Sequence, residues 1–203
     1  MSRRGWMKVI SGLVIVILLV VIYCVLGVFA TAKELAGRGT SKGSSDAASL
    51  RGVANACFNW AEKNDWQMPD HVGRLLLGEN RMSTKLLVSR RAGVTESLVM
   101  TRELERLAER DFEAFAKIVD EHCDIVYLGK GTKNSSDANV LVAFEKPHRH
   151  MSYGINMAFE DVHVDYVLYK QVRKILEEAN VYREKHGLSA IDIDAVLRDA
   201  PGK

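Results

Sequence analysis

The sequence has few of the patterns by which catalytic sites are usually recognised. It contains only three cysteines and three prolines, and aromatic residues make up 7% of the chain. It has no Cys-x-x-Cys pair, no serine nucleophile elbow and no glycine-rich phosphate-binding loop. Gly129-Lys130-Gly131 is too short for such a loop and does not join a predicted strand to a predicted helix. We therefore predict that the protein is not an enzyme and needs no cofactor.

An excess of charge of either sign is missing as well. The chain has 28 basic and 26 acidic residues, and three of the basic ones, Arg3, Arg4 and Lys8, lie in the first eight positions. The remaining 25 basic residues face 26 acidic ones, which leaves the rest of the chain at −1. A domain this close to neutral has no basic surface for phosphates. Nucleic acid is therefore not an expected partner.

A long apolar run spans residues 9–30. It has no charged residue over 22 positions, and a helix needs about 20 apolar residues to cross the hydrocarbon core of a bilayer. The basic segment 1–8 precedes it, and Trp6 lies where interfacial aromatic residues are common. Because basic flanks stay in the cytoplasm, the sequence predicts a cytoplasmic N-terminus at 1–8, a single transmembrane anchor at 9–30 and an extracytoplasmic remainder.

A cleaved secretory signal is the competing interpretation of this run. Ala30-Thr31-Ala32 fits a small-residue cleavage site. The apolar core of a cleaved signal is usually about 7–15 residues long, and the run exceeds that length. A retained anchor is therefore the better prediction, and the membrane lipid bilayer is the first expected partner.

Residues 31–65 are predicted to form a linker followed by a stalk helix. The segment 33–46 is rich in Gly, Ser and Lys, which is typical of a linker or of a poorly formed helix. From Ser45 to about Lys63, apolar residues recur every three or four positions, as on one face of a helix. Pro69 then favours a turn. The apolar positions of this face are Ala47, Leu50, Ala54, Cys57, Phe58 and Ala61.

Residues 66–186 are predicted to form a globular α+β domain, and 187–203 a short tail. A surface helix with one apolar face is expected at Thr95–Glu121, and a last helix at Tyr169–Lys185. Short strands of a small antiparallel sheet are expected around these helices. The predicted strands are 85–89, 124–128, 140–145, 155–159 and 162–168.

The last two predicted strands form a hairpin, because only Glu160-Asp161 separates them. Alternation predicts that Met157 and Phe159 face Val164 and Tyr166 and line a core against the stalk helix. The predicted fold is therefore a membrane helix and an amphipathic helix packed on this sheet.

Two cysteines, Cys57 and Cys123, follow the predicted anchor and would face an oxidising compartment. A disulfide between them is one interpretation. The other interpretation is that both cysteines are buried and behave as small hydrophobic residues. The third cysteine, Cys24, lies within the apolar run.

Three segments of the second half resemble a known family. They are Asp124-Ile-Val-Tyr-Leu-Gly-Lys-Gly, Val140-Leu-Val-Ala-Phe-Glu-Lys-Pro and His150-Met-Ser-Tyr-Gly-Ile-Asn-Met-Ala-Phe-Glu-Asp-Val-His-Val. With the order of membrane helix, stalk helix and antiparallel sheet, they resemble type IV pilins and pseudopilins of type II secretion. The resemblance is strongest to the prepilin-like proteins of planctomycetes and related bacteria, and it covers most of residues 50–176.

That family has a C-terminal motif of His, nine residues and Asp-Gly, usually followed by His-Val. Here ten residues separate His150 from Asp161, and Val162 stands where the motif has Gly. An Asp-Gly step favours a tight turn with positive φ, so we expect the loop of this hairpin to differ. The resemblance implies that His150, Asp161 and His163 serve the structure of the hairpin.

A metal site is the competing interpretation of the histidines. His148, His150 and His163 are the candidate ligands, because a His-x-His on a strand places both imidazoles on one face. The candidate oxygen ligands are Glu145, Glu160 and Asp161.

The resemblance also implies a function. Pilin precursors have Gly, an aromatic residue and then Glu at the fifth mature position, but here Ile10 occupies that position after Gly5 and Trp6. We therefore expect an uncut N-terminus. The implied role is a non-enzymatic structural or assembly role in a bacterial secretion or pilus-like apparatus or at the cell envelope. The protein would be anchored in the inner membrane, with its domain in the periplasm.

The expected partners are other pilin-like or envelope proteins, which the N-terminal helix would contact. A periplasmic ligand-binding or sensor module on a signal anchor is the second hypothesis. A metal-dependent enzyme is the third.

Overall fold

The computed structural model describes residues 41–78, 81–91, 96–135, 137–148, 151 and 153–200. The chain divides into two units, Met1–Thr40 and Ser41–Lys203. The predicted cytoplasmic segment, the predicted anchor at 9–30 and His150 lie outside the described residues. Within those residues, no helix has the length and apolar character needed to cross a bilayer.

The described part is an α+β domain in which helices cover a small antiparallel sheet. The α-helices are α1 Ser41–Glu62, α2 Arg102–Arg110, α3 Phe112–Glu121, α4 Tyr169–Lys185 and α5 Ile193–Val196. Two short 3₁₀ helices are Val72–Leu76 and Thr84–Leu87. The strands are β1 Ile125–Tyr127, β2 Leu141–Glu145, β3 Gly154–Phe159 and β4 Val164–Leu168.

The four strands form a meander in the order β1-β2-β3-β4, and every neighbouring pair is antiparallel. The register is irregular between Leu141 and Ala143 of β2. The predicted small antiparallel sheet, including the hairpin made by its last two strands, is confirmed.

Both faces of the sheet are covered, because every residue of β2 and β3 is buried. Helix α1 packs on one face, where Ala143 and Ala158 belong to its core cluster. Helix α4 packs on the other face, where Ile155 and Met157 form a second cluster with its Val172. Alanine side chains are short, so they let α1 approach the sheet closely.

Helix α1 confirms the predicted stalk helix over most of its length. Leu50, Val53 and Cys57 are almost fully buried, and Arg51 and Asn55 on the opposite side are exposed. The spacing of buried residues is that of an amphipathic helix with one face on a core. Its exposed side is polar.

Two predicted elements differ from the structure. The predicted strand at 85–89 is the 3₁₀ helix Thr84–Leu87, in which Ser83 accepts a hydrogen bond from the backbone of Lys85. The single predicted helix Thr95–Glu121 is two helices that meet at Asp111. The backbone N–H of Asp111 donates to Leu107 O at the end of α2 (2.7 Å), and its carboxylate accepts from Ala114 N at the start of α3 (3.0 Å). Aspartate is a favoured N-cap, so a new helix begins there.

The turn of the β3–β4 hairpin is formed by residues 160–162. Val162 N donates to Phe159 O (3.0 Å), Phe159 N donates to His163 O (3.1 Å), and Val162 has φ 62°. This is the three-residue hairpin loop whose last position is left-handed and usually Gly. Val162 therefore adopts the conformation for which the family motif has glycine, although a β-branched residue is strained there.

The prediction that Met157 and Phe159 lie on the same face of the sheet as Val164 and Tyr166 is wrong. Met157 pairs with Asp165, and Ala158 pairs with Val164. Paired residues lie on the same face of an antiparallel sheet, so Met157 and Phe159 face α4, while Val164 packs on the side of α1. The three-residue turn shifts the register by one position relative to the prediction, and one position exchanges the two faces.

Candidate functional site

A cluster of buried polar side chains lies between α1 and the sheet. We call Asp46, Ser89, Arg91, Glu145 and Asn156 the Arg91 cluster. Asp46, Glu145 and Asn156 are each only 2% exposed, and Ser89 is 5% exposed. Charged groups are rarely buried to this extent unless they are paired.

Asp46 projects from the first turns of α1 into a turn of backbone N–H groups. Its Oδ1 accepts from Arg90 N (2.9 Å), and its Oδ2 accepts from Arg91 N (3.1 Å) and from Ser89 Oγ (3.1 Å). Successive backbone N–H groups of this kind form a concave site for an anion. The segment 89–91 therefore holds the beginning of α1 by its carboxylate.

Arg91 joins the helix to three strands. Its guanidinium contacts Asp46 Oδ2 on α1 (3.3 Å), forms an ion pair with Glu145 on β2, and donates to Gly154 O on β3 (3.4 Å). It also lies 5.3 Å from the ring centroid of Tyr166 on β4. A Cβ at Gly154 would lie 2.1 Å from Val167 O, so only glycine allows the strands to approach this closely at that position.

Glu145 is the least completely paired carboxylate of the cluster. Its Oε2 contacts Arg91 and accepts from Asn156 N (2.6 Å), and its Oε1 has no hydrogen-bond partner within the described part of the chain. Burial raises the pKa of Glu145, and the Arg91 charge opposes that shift. The nearby Asp46 carboxylate raises the pKa further, because two anions share one guanidinium.

His148, one of the candidate metal ligands, lies next to this cluster. Ser89 N donates to Asp124 Oδ2 (2.9 Å), and His148 Nε2 is 3.4 Å from Asp124 Oδ1. Asp124 is 1% exposed. The structure therefore gives His148 a carboxylate neighbour.

Asp161 and His163 lie at the other end of β3. His163 Nδ1 contacts Asp161 Oδ1, and the imidazole stacks on Phe159. Glu160 is buried, and its Oε2 accepts from Ser135 N (2.9 Å) and Ser135 Oγ (2.6 Å). His148 and His163 do not share a site, because they lie past opposite ends of the hydrogen-bonded strands.

In the part of the chain that the structure describes, no group of three or more His, Cys, Asp or Glu side chains is arranged to hold a metal ion. The candidate oxygen ligands are separated as well. Glu145 contacts Arg91, Glu160 contacts Ser135, and Asp161 contacts His163.

Cys57 and Cys123 are buried, and both are free thiols. Burial raises the pKa of Cys57 to about 12 and that of Cys123 to about 11. The second interpretation, two buried small hydrophobic residues, is the arrangement observed. Neither is a reactive thiol, because nucleophilic cysteines need a depressed pKa and access to solvent.

An open groove of about 800 Å³ lies beside the C-terminal half of α1. Its lining includes Asn59 and Trp60 from the helix, and Lys63, Arg74 and Leu77 from the segment that follows it. The lining is mixed polar and apolar. The groove lies at the opposite end of α1 from Asp46.

One feature of the sequence points to the Arg91 cluster, namely the position of Asp46 relative to the apolar face of the helix. Asp46 precedes Leu50 by four positions, so a helix through both residues places the carboxylate on the apolar face. A charge on that face indicates a buried partner. Nothing local marks Arg91 or Glu145 as that partner.

Comparison with known proteins finds no match: no family model, no curated protein and no solved structure is significantly similar to the chain.

Proposed function

We propose that the protein is a membrane-anchored, pseudopilin-like structural or assembly protein of a secretion or pilus-like apparatus or of the cell envelope, and that it acts without catalysis. The observation that carries this proposal is the arrangement of α1. The described helix, Ser41–Glu62, follows the apolar run at 9–30 in the sequence. It packs along one face of a four-stranded antiparallel sheet.

The Arg91 cluster supports a mechanical role for α1. The helix is held near its N-terminal end by a buried carboxylate and along its length by Leu50, Val53 and Cys57. Breaking a buried ion pair by removing one partner typically costs about 3–5 kcal/mol. Asp46 and Arg91 therefore hold the described part of α1 firmly to the sheet.

The proposed topology is tested with a reporter that fluoresces only in the cytoplasm, fused after Lys203. We expect no fluorescence, because the basic residues in 1–8 should keep the N-terminus inside. The intact mass should correspond to an uncut chain apart from loss of Met1. A bright fusion, or a mature start at Trp6 or Lys33, would contradict these expectations.

Assembly through the N-terminal helix is tested by cysteine cross-linking in membranes, with Cys24 replaced by serine. Asn55→Cys on the exposed side of α1 should give adducts with a second copy or with another envelope protein. Glu177→Cys on α4 is the matched control, because Glu177 is also exposed but lies on the other side of the sheet. Adducts from both positions, or from neither, would argue against association through α1.

A ligand-binding module remains the second candidate, and the groove beside Trp60 is the observation that favours it. Quenching of the fluorescence of Trp60 by small polar metabolites, lost in Trp60→Phe, would support this role. The absence of any response across such a panel would leave the structural role as the proposal.

A further inference from the structure

A second small cavity lies against the Arg91 cluster, and none of the roles above uses it. Its volume is about 10 Å³. Its polar lining comes from Asp46, Ser49, Ser89 and Glu145, and the rest is apolar, with Leu50 among it. It therefore lies where α1 meets the end of β2.

The size of the cavity matches one small molecule. A cavity needs roughly 10–15 Å³ of probe-occupied volume, about one probe sphere, to hold a water molecule. Apolar cavities of larger size stay dry, whereas polar ones with two to four hydrogen-bonding neighbours hold ordered water. Four of the residues that line this cavity have polar side chains, although most of its lining surface is apolar.

An unpaired acceptor on one of the lining residues favours water. Glu145 is almost fully buried, and its Oε1 has no partner among the described residues. An unpaired buried acceptor is costly, so such atoms are usually satisfied by an ordered water. Water can donate two hydrogen bonds at once, which suits a cavity lined by the two carboxylates of Asp46 and Glu145.

A metal cation fits less well than water. The Arg91 guanidinium already contacts both carboxylates and would repel a second cation. The described residues also contain no group of acidic and imidazole ligands with metal-binding geometry. A neutral water carries no such penalty.

We propose that this cavity is a specific binding site for one water molecule, which donates hydrogen bonds to the carboxylates of Glu145 and Asp46 and so joins α1 to β2. The water completes the hydrogen bonding of Glu145 whether that carboxyl is ionised or protonated. The site is independent of the proposed assembly role.

The test is a crystal structure of the detergent-solubilised full chain at a resolution that shows ordered water. We expect one water peak within hydrogen-bonding distance of Glu145 Oε1. A cavity without density would overturn the proposal. A peak replaced by an anomalous scatterer after a rubidium soak would overturn it too, because the site would then bind a cation.

Two variants at Ser49 sharpen the test. Ser49→Val adds apolar volume to the lining and should displace the water, so that the peak is lost. Ser49→Ala is the matched control, because it removes the hydroxyl without filling the cavity, and the peak should remain. Density retained in Ser49→Val would contradict the assignment. If that variant does not fold, the wild-type map alone decides the question.

Discussion

The imidazole of His163 lies flat against the phenyl ring of Phe159, with ring centroids 4.4 Å apart and planes 3° from parallel. Phe159 belongs to the core between the sheet and α4, together with Met157 and Leu176. His163 is partly exposed and is held by Asp161. The histidine next to the turn therefore covers the outer face of a core aromatic ring.

Phe159→Ala should destabilise the domain by about 3–5 kcal/mol, because it removes a buried aromatic side chain and leaves a cavity. Urea unfolding followed by circular dichroism measures the change. His163→Ala is the control and should cost only about 0.5–1.5 kcal/mol, since it loses one aromatic contact at a partly exposed site. Equal effects of the two substitutions would show that Phe159 does not anchor this core.

Val162→Gly should give a more stable protein than Val162→Ala, by about 1 kcal/mol. Both substitutions remove the partly buried side chain, but only glycine relieves the positive φ of 62°, which costs other residues about 1–2 kcal/mol. The greater backbone freedom of glycine in the unfolded chain offsets part of that gain. Denaturant midpoints of the two variants provide the comparison. An alanine variant as stable as the glycine variant would mean that the turn is not strained.

Arg91→Met should destabilise the domain by about 3–5 kcal/mol, because it leaves the carboxylates of Asp46 and Glu145 buried without their shared cation. Arg173→Met is the matched control. Arg173 pairs with Asp194 at the surface, and exposed pairs contribute about 0–1 kcal/mol. Thermal unfolding of both variants at neutral pH tests the difference. A mild effect of Arg91→Met would show that the cluster is not closed to water.

Glu145→Gln should change how stability depends on pH. Burial raises the folded-state pKa of Glu145, so the folded protein binds a proton there more tightly than the unfolded chain does. The resulting stability is fully present below the ordinary glutamate pKa of about 4.3 and is lost as the pH rises through the higher folded-state pKa. The glutamine variant does not ionise and so does not lose stability in this way. The difference between its melting temperature and that of wild type should therefore increase with pH over that interval. A constant difference between the two proteins would contradict the shifted pKa.

Cys57 and Cys123 should resist alkylation in the folded protein at pH 8 and react fully in urea without reductant. Their pKa values of about 12 and about 11 keep both thiols protonated, and burial blocks access. Mass spectrometry of labelled peptides separates them from Cys24. If neither reacts in urea until a reductant is added, the two cysteines form a disulfide.

Strong local periodicity made part of the fold predictable. The stalk helix was found because Leu50, Ala54 and Cys57 recur at helical spacing, and the hairpin was found because Ile155 and Met157 alternate with smaller or polar residues. The predicted strand at 85–89 is wrong because a short apolar run does not distinguish a strand from a helical turn. The break at Asp111 was missed because the apolar face continues across it.

The candidate site was mostly out of reach of sequence reasoning. Arg91 and Glu145 each look like ordinary surface charges in their own segments. Their burial follows only from tertiary packing, which brings the segment 89–91 onto the first turns of α1 and the end of β2. The face of the sheet on which Phe159 lies was likewise set by the length of the turn, which shifted the register by one residue.

The residues of the Arg91 cluster are far apart along the chain, so they leave the ribosome at different times during synthesis. Asp46 and Arg91 are 45 positions apart, and Arg91 and Glu145 are 54 positions apart. At roughly 5–20 residues per second, Glu145 leaves the ribosome about 5–20 s after Asp46. Throughout that interval the apolar face of α1 has no sheet to cover it, because the strands that it contacts have not been made. Folding of the domain must therefore wait for its last hairpin, and a nascent chain stopped before β3 exposes α1 to proteases and to aggregation.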